Sequence, residues 1–100
     1  MRSFSLTNAA KADLRNIARF TEERWGREQR KLYLKGMDDA FRRLTDSPAL
    51  GVSCEYIASD LRKHPFQSHV IYYDIASASQ ILIVRVLHRR MDVSQAPFNT

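Results

Sequence analysis

Cysteine, glycine, proline and tryptophan are all scarce in this sequence, and long apolar runs are missing. One cysteine, Cys54, among 100 residues cannot close an internal disulfide, which fits a reducing compartment. The residue reads as an inert, half-buried thiol rather than a reactive one. Three glycines, at 26, 36 and 51, cannot build a phosphate loop or a dinucleotide fingerprint, both of which need clustered glycines. No apolar run approaches the roughly 18 residues of a membrane span. The stretch Met1 to Thr7 lacks the apolar core of a signal peptide. A cytoplasmic location is therefore expected, with no membrane partner. Cys54 and the three histidines, His64, His69 and His88, follow no zinc spacing. No metal or other cofactor is expected.

What remains is an ordinary folding composition, 44% apolar and 27% charged, which excludes a mainly disordered chain. The length implies one domain over 1–100, burying roughly 65% of its unfolded surface, with residues 92–100 as a frayed tail. The formal charge is +5. Residues 1–50 hold eleven Lys and Arg against seven Asp and Glu; residues 51–100 hold five against four. Such a surface favours an acidic partner, nucleic acid or protein, and charge alone does not choose between them.

Arg2 to Leu6 alternates like a short strand. Thr7 or Asn8 can cap the helix that follows. Its apolar face is Leu14, Ile17, Ala18, Thr21 and Trp25, and its polar face is Lys11, Asp13, Arg15 and Arg19. Trp25 reads as a core or hairpin-packing residue. Gly26, free to take a positive φ, ends this helix. A second helix spans about Glu28 to Thr45, with Leu32, Tyr33, Met37, Ala40, Phe41 and Leu44 in one stripe. Asp46-Ser47-Pro48 stops it. Mid-helix Gly36 costs about 1 kcal/mol against alanine, so a close approach to a helix or sheet is expected there. Ala49 to Asp60 reads as a loop with a brief extended piece at Tyr56-Ile57. Leu61 to Phe66 is a strand, with Pro65 marking an edge or bulge. Ser68 to Ile75 and Ile81 to Leu87 form a hairpin across a four- or five-residue loop at Ala76 to Ser79. Ile81 to Leu87 is apolar on both faces except at Arg85, as a central strand requires. A lone arginine there needs a carboxylate, Asp74 or another. The order β-α-α-β-β-β implies an α+β fold, an antiparallel helical hairpin on a small, mainly antiparallel sheet.

Several pieces of this order resemble the RelE/ParE toxin superfamily, and its ParE-type toxins in particular. They are Leu6-Thr7, Ala10-x-x-Asp13-Leu14-x-x-Ile17, Trp25-Gly26 with Gln29, Tyr33-Leu34, Phe41 and Leu44. Pro48, Gly51 and Leu61-Arg62 follow, then Ser68-His69-Val70-Ile71-Tyr72-Tyr73 and Ile83-Val84-Arg85-Val86-Leu87-His88 with Met91-Asp92. The likeness covers roughly residues 4 to 93. It implies the toxin of a bacterial type II toxin–antitoxin module that stabilises a plasmid or chromosome. Such toxins inhibit DNA gyrase by direct binding and are wrapped by the C-terminal segment of a ParD-type antitoxin. A toxin–antitoxin hetero-oligomer is implied, with no sequence-specific nucleic-acid binding by the toxin alone. The ending Val-Ser-Gln-Ala-Pro-Phe-Asn-Thr departs from the short basic or His-containing tail usual in the family.

A basic cluster, His88, Arg89 and Arg90, follows the last strand and supplies the candidates for target binding. Leu14, Ile17, Arg19, Trp25, Tyr33 and Met37 are the candidates for antitoxin binding, on an apolar groove of the helical hairpin and sheet edge. The expected protein is a binder without catalytic chemistry. The sister RelE branch, ribosome-dependent mRNA endonucleases, supplies the alternative. Cleavage needs a base, an acid and cations on the phosphate, for which His69, His88 and Arg89 are the set, with Arg62, Arg85 and Arg90 nearby in sequence. Against it, His69 replaces the strand arginine of those nucleases, and no tyrosine follows Tyr73. His69 also reads as a hydrogen-bonded residue at a strand start, and His88 as a partner for Asp92. A third reading is a basic nucleic-acid-binding module.

Overall fold

The computed structural model describes residues 3–91. Strand β1 (Ser3–Leu6) leads into helix α1 (Asn8–Trp25) and helix α2 (Arg27–Asp46). A 3₁₀ turn (Pro48–Leu50) follows, then strands β2 (Val52–Ser53), β3 (Leu61–Phe66), β4 (His69–Ser77) and β5 (Gln80–His88). The five strands form one sheet in the order β1-β5-β4-β3-β2. β1 runs parallel to β5, and the other pairs are antiparallel. The α+β reading holds, with one further short strand.

Thr7 ties the first helix to the sheet. Its Oγ1 accepts from Ala10 N at 3.0 Å, the bond of an N-cap, and donates to Val84 O at 2.7 Å. Thr7, not Asn8, is thus the cap. Gly26 alone separates the helices at φ 96°, the left-handed region that favours glycine. Across that turn Arg30 pairs with Glu22 at 2.6 Å. Gly36 sits against β3: a Cβ there would lie 2.9 Å from Phe66 Cζ, so the close approach is helix to sheet. Gly51 is tighter, since a Cβ would meet the Tyr73 hydroxyl and, at 2.7 Å, the Lys63 carbonyl. The Tyr73 hydroxyl fills that space, donating to Pro48 O at 2.6 Å and accepting from Gly51 N at 2.9 Å.

Apolar residues cover both faces of the central strands. Beneath the helices, Ile71, Tyr73, Ile81, Ile83 and Val86 pack on Ile17, Met37, Ala40, Phe41 and Leu44. On the opposite face Tyr72, Val84 and Leu87 pack with Leu61 and Cys54. β5 is therefore central and doubly covered, as its composition requires. The β4–β5 register slips so that Tyr72 faces Arg85 and Tyr73 faces Ile83. This bulge at Val84 changes which residues face the helices, Ile81 and Ile83 before it and Val86 after it.

Several details depart from the expectations. The extended piece in the loop is Val52–Ser53, paired with Lys63 and Arg62, while Tyr56 and Ile57 lie in a turn. The hairpin closes through two residues, Ala78 and Ser79, because Ser77 pairs with Gln80. An irregularity between Ile75 and Ser77 absorbs Ala76 and lets strand pairing extend so far. Trp25 is not core: it is 66% exposed. Helix α1 outruns the described part of the sheet there, and its last residues, Glu23 to Trp25, are exposed. Leu32 is likewise 57% exposed, on the outer side of α2. Cys54 is fully buried rather than half-buried, and burial pushes its thiol pKa up. Pro65 lies past the end of β2's pairing with β3, where no described strand needs its missing N–H. The expected frayed tail, and Asp92 as a partner of His88, lie outside the described residues, as does Arg2.

Candidate functional site

Asp13, assigned above to the solvated face of α1, instead turns toward β5. Its carboxylate accepts from Arg85 Nε at 2.8 Å and Nη2 at 2.9 Å, and from Val86 N at 3.0 Å. Arg85 thus pairs with Asp13 and not Asp74, and the contact raises the guanidinium pKa above its ordinary value. The parallel β1–β5 pairing sets the start of α1 across β5, which brings residues 72 positions apart together. Asp74 keeps a buried Oδ1 with no hydrogen-bond partner among the described residues, and burial, then the charge of Asp60, raises its pKa.

Two concave surfaces flank this tie. The first is a groove of about 590 Å³ between the two helices and β1. Leu14, Ala18, Leu34, Met37 and Phe41 form its apolar floor, with Phe4 and Leu6 from β1 at one side. Its rim mixes Arg15, Arg19 and Arg30 with Glu22, Glu23 and Asp38. β1 ends the sheet, so its outer edge faces this side without a described neighbour strand. Of the antitoxin-binding candidates, Leu14, Arg19 and Met37 line the groove, while Ile17 lies in the core beneath.

The second is a cleft of about 800 Å³ at the end of α1, and it takes Trp25 and Tyr33. Phe20, Arg24 and Trp25 form one wall, and His69 and His88 form the other, with Tyr33 between. The Arg24 guanidinium lies 6.0 Å from the Phe20 ring centre and 5.8 Å from that of Trp25. His69 opens β4 on the same face as Ile71 and Tyr73, which carries it under α2. There its Nδ1 is 2.7 Å from the Tyr33 hydroxyl. It is paired across the strands with His88, the rings 5.5 Å apart and edge to face. Arg89 N donates to Ser68 O, so the next pair inward, His69 with His88, is of the closer, non-hydrogen-bonded kind. Burial first, then the neighbouring His88, lowers the His69 pKa; burial raises that of Tyr33. Arg90 N donates to His88 Nδ1 at 3.2 Å, and the side chains of Arg89 and Arg90 are exposed. The target candidates His88, Arg89 and Arg90 thus sit together beside this cleft. Arg62 lies elsewhere, with its guanidinium on the carbonyls of Ala49 and Gly51. Among the described residues, no group of three or more His, Cys, Asp or Glu is placed to hold a metal. None of their helices is long and apolar enough to cross a membrane.

The sequence model described as the ParE toxin of the type II toxin–antitoxin system parDE matches residues 4–93. The chain belongs to the ParE toxin family. This ParE-family chain is 37% identical over 92 residues to Toxin ParE1 of Mycobacterium tuberculosis, covering 92% of the chain and 94% of that toxin. It is 32% identical over 92 residues to Toxin ParE1 of Caulobacter vibrioides, with the same coverage. A solved structure titled as the chromosomal ParDE toxin–antitoxin system from P. aeruginosa shares the fold. Its TM-score is 0.74 at 18% identity, over 88% of this chain and 96% of that one.

The tie between Asp13 and Arg85 was only partly visible beforehand. The sequence signal for Asp13 was its place in the Ala10-x-x-Asp13-Leu14 run, with a lone arginine in an apolar strand demanding a carboxylate. The aromatic wall of Phe20 was missed, since nothing in the helical period marks it.

Proposed function

We propose that this ParE-type toxin acts by binding DNA gyrase, without catalytic chemistry of its own, and is neutralised by a ParD-type antitoxin. The observation that carries the reading is the groove between α1, α2 and β1. An apolar floor beside a strand edge with no described neighbour suits an extended or helical segment, which can bury apolar side chains while its backbone meets β1. In the free toxin Leu14 and Leu34 are the partly exposed residues of this floor, while Ala18, Met37 and Phe41 are already buried, and a partner covers what remains. The net charge of +5 favours encounter with an acidic antitoxin, while the groove's rim balances three arginines against three carboxylates. Gyrase contact falls to the exposed tip, His88, Arg89 and Arg90, on the far side of the sheet end from β1. The cytoplasm, where gyrase works, is the matching location.

The test uses purified components. Supercoiling by gyrase should be inhibited with cleavage complexes trapped, while ribosome-bound mRNA stays intact. Untouched supercoiling would refute the gyrase reading.

One observation favours a second reading, an mRNA endonuclease. His69 and His88 stand side by side, an imidazole pair of the kind that can share acid and base roles, with Arg89 next to them. In the same assay, transcripts cut on the ribosome, and spared when His88 or Arg89 is replaced, would establish it.

A further inference from the structure

The cleft at the end of α1 is separate from the groove assigned to the antitoxin, and its chemistry differs. We infer that it binds one nucleotide unit of single-stranded nucleic acid, the base on the Phe20–Trp25 wall and the phosphate at the imidazole wall.

Phe20 and Trp25 are 60% and 66% exposed, large aromatic faces left in water by a helix that outruns the sheet. Arg24 lies beside both rings and supplies a cation at the stacking surface. Every base has a π-face, so such a wall is tolerant of sequence. The opposite wall donates hydrogen bonds. Because Arg90 N–H donates to His88 Nδ1, that nitrogen holds the lone pair and Nε2 carries the proton. The Tyr33 hydroxyl lies 2.7 Å from His69 Nδ1, and with that hydroxyl donating, Nε2 of His69 carries the proton as well. Two N–H donors thus stand side by side, and both imidazoles line the cleft.

Nothing acidic opposes an anion there. Among the described residues no carboxylate lines the cleft, and Asp13, whose charge His69 does feel, is engaged by Arg85 and Val86 N. Arg89 and Arg90, exposed just past His88, continue the cationic track for a neighbouring phosphate. The volume of about 800 Å³ lies within the range of small-ligand sites. An acidic peptide also carries anions, but it makes little use of two exposed rings flanking a guanidinium.

Trp25 is the sole tryptophan, so its fluorescence reports the cleft directly. The full chain is titrated with a thymidine decamer. DNA lacks the 2′-hydroxyl that ribose cleavage needs, so binding is read apart from any nuclease activity, and no gyrase is present. Saturable quenching is expected. It should weaken about tenfold in Phe20→Ala, the loss of one stacking partner. Affinity should fall roughly sevenfold between about 50 and 200 mM salt if two phosphates are neutralised. His88→Ala should weaken binding several-fold, and His88→Gln, which restores an N–H donor, should recover part of it. These positions are exposed, and unchanged far-ultraviolet circular dichroism confirms folding. Three results would each overturn the inference. One is no saturable quenching by the decamer. Another is a glutamate-rich peptide binding more tightly than the decamer. The last is inorganic phosphate alone saturating the signal, with Phe20→Ala without effect.

Discussion

Replacing Asp13 by alanine should unfold this protein far more readily than the change of one helix residue suggests. The carboxylate takes three hydrogen bonds, two from Arg85 and one from Val86 N, at 2.8 to 3.0 Å. The two side chains are only 15% and 12% exposed. Removing one member of a buried ion pair costs about 3–5 kcal/mol, because the remaining charge has lost its compensation. Residual water contact places this pair at the low end, about 3 kcal/mol, a large share of the roughly 5–15 kcal/mol that holds a domain together. With a urea slope of about 1.3 kcal/mol/M, the unfolding midpoint should fall by roughly 2.3 M. The control is the double variant Asp13→Leu with Arg85→Met, which removes both charges and keeps apolar volume. It should recover at least half of the loss, leaving mainly the orphaned Val86 N–H. Urea titration of the parent, Asp13→Leu, Arg85→Met and the double variant closes a double-mutant cycle that measures the coupling. A midpoint for Asp13→Ala within about 0.5 M of the parent, or strictly additive single changes, would refute the reasoning.

Gly51→Ala should cost about 2 kcal/mol by the same titration, because the new Cβ meets the Lys63 carbonyl, which cannot swing aside. Burial holds the His69 and His64 imidazoles below their ordinary values, aided by His88 and Arg43 respectively. A depressed folded pKa means the unfolded chain binds protons first, so the contribution is intact above about pH 6.5 and is lost as pH falls through the lowered folded value. The urea midpoint should therefore drop on acidification below about pH 6.5, and drop less in His69→Gln. Asp74 has the opposite sign: its raised pKa means stability present at low pH is lost as pH rises through the folded value. Asp74→Asn should raise the midpoint at neutral pH and leave it unchanged in acid. In the groove, Leu34→Glu should weaken antitoxin binding by at least about tenfold, measured by calorimetry, since it places a charge on an apolar floor. Arg89→Ala with Arg90→Ala should reduce toxicity in cells with no change in melting temperature, both side chains being exposed.

Local rules carried the reading of the fold a long way, and the places where they stopped share one cause. Gly26 and the Pro48 stop are determined by backbone sterics within a few residues, and each behaves as its neighbourhood dictates. Trp25 sits at proper helical spacing for the core and yet faces water. A helix's period says which side is apolar but not how far the sheet beneath it extends. Asp13 fails in the reverse direction, a polar residue at a polar phase drawn inward by an arginine 72 positions away. That pairing depends on β1 lying parallel to β5, a long-range choice with no local signature. The cleft has the same origin. His69 and His88 were each visible as strand-end residues, but their adjacency follows from the β4–β5 register. The facing wall of Phe20 and Trp25 exists only because α1 overhangs that register's end. The surface most exposed to a partner is thus built where the helical layer and the sheet differ in length. A shortened α1, lacking its last turn, should keep the Asp13–Arg85 tie and the groove floor while losing Arg24 and Trp25 from the aromatic wall, which separates the two binding surfaces physically.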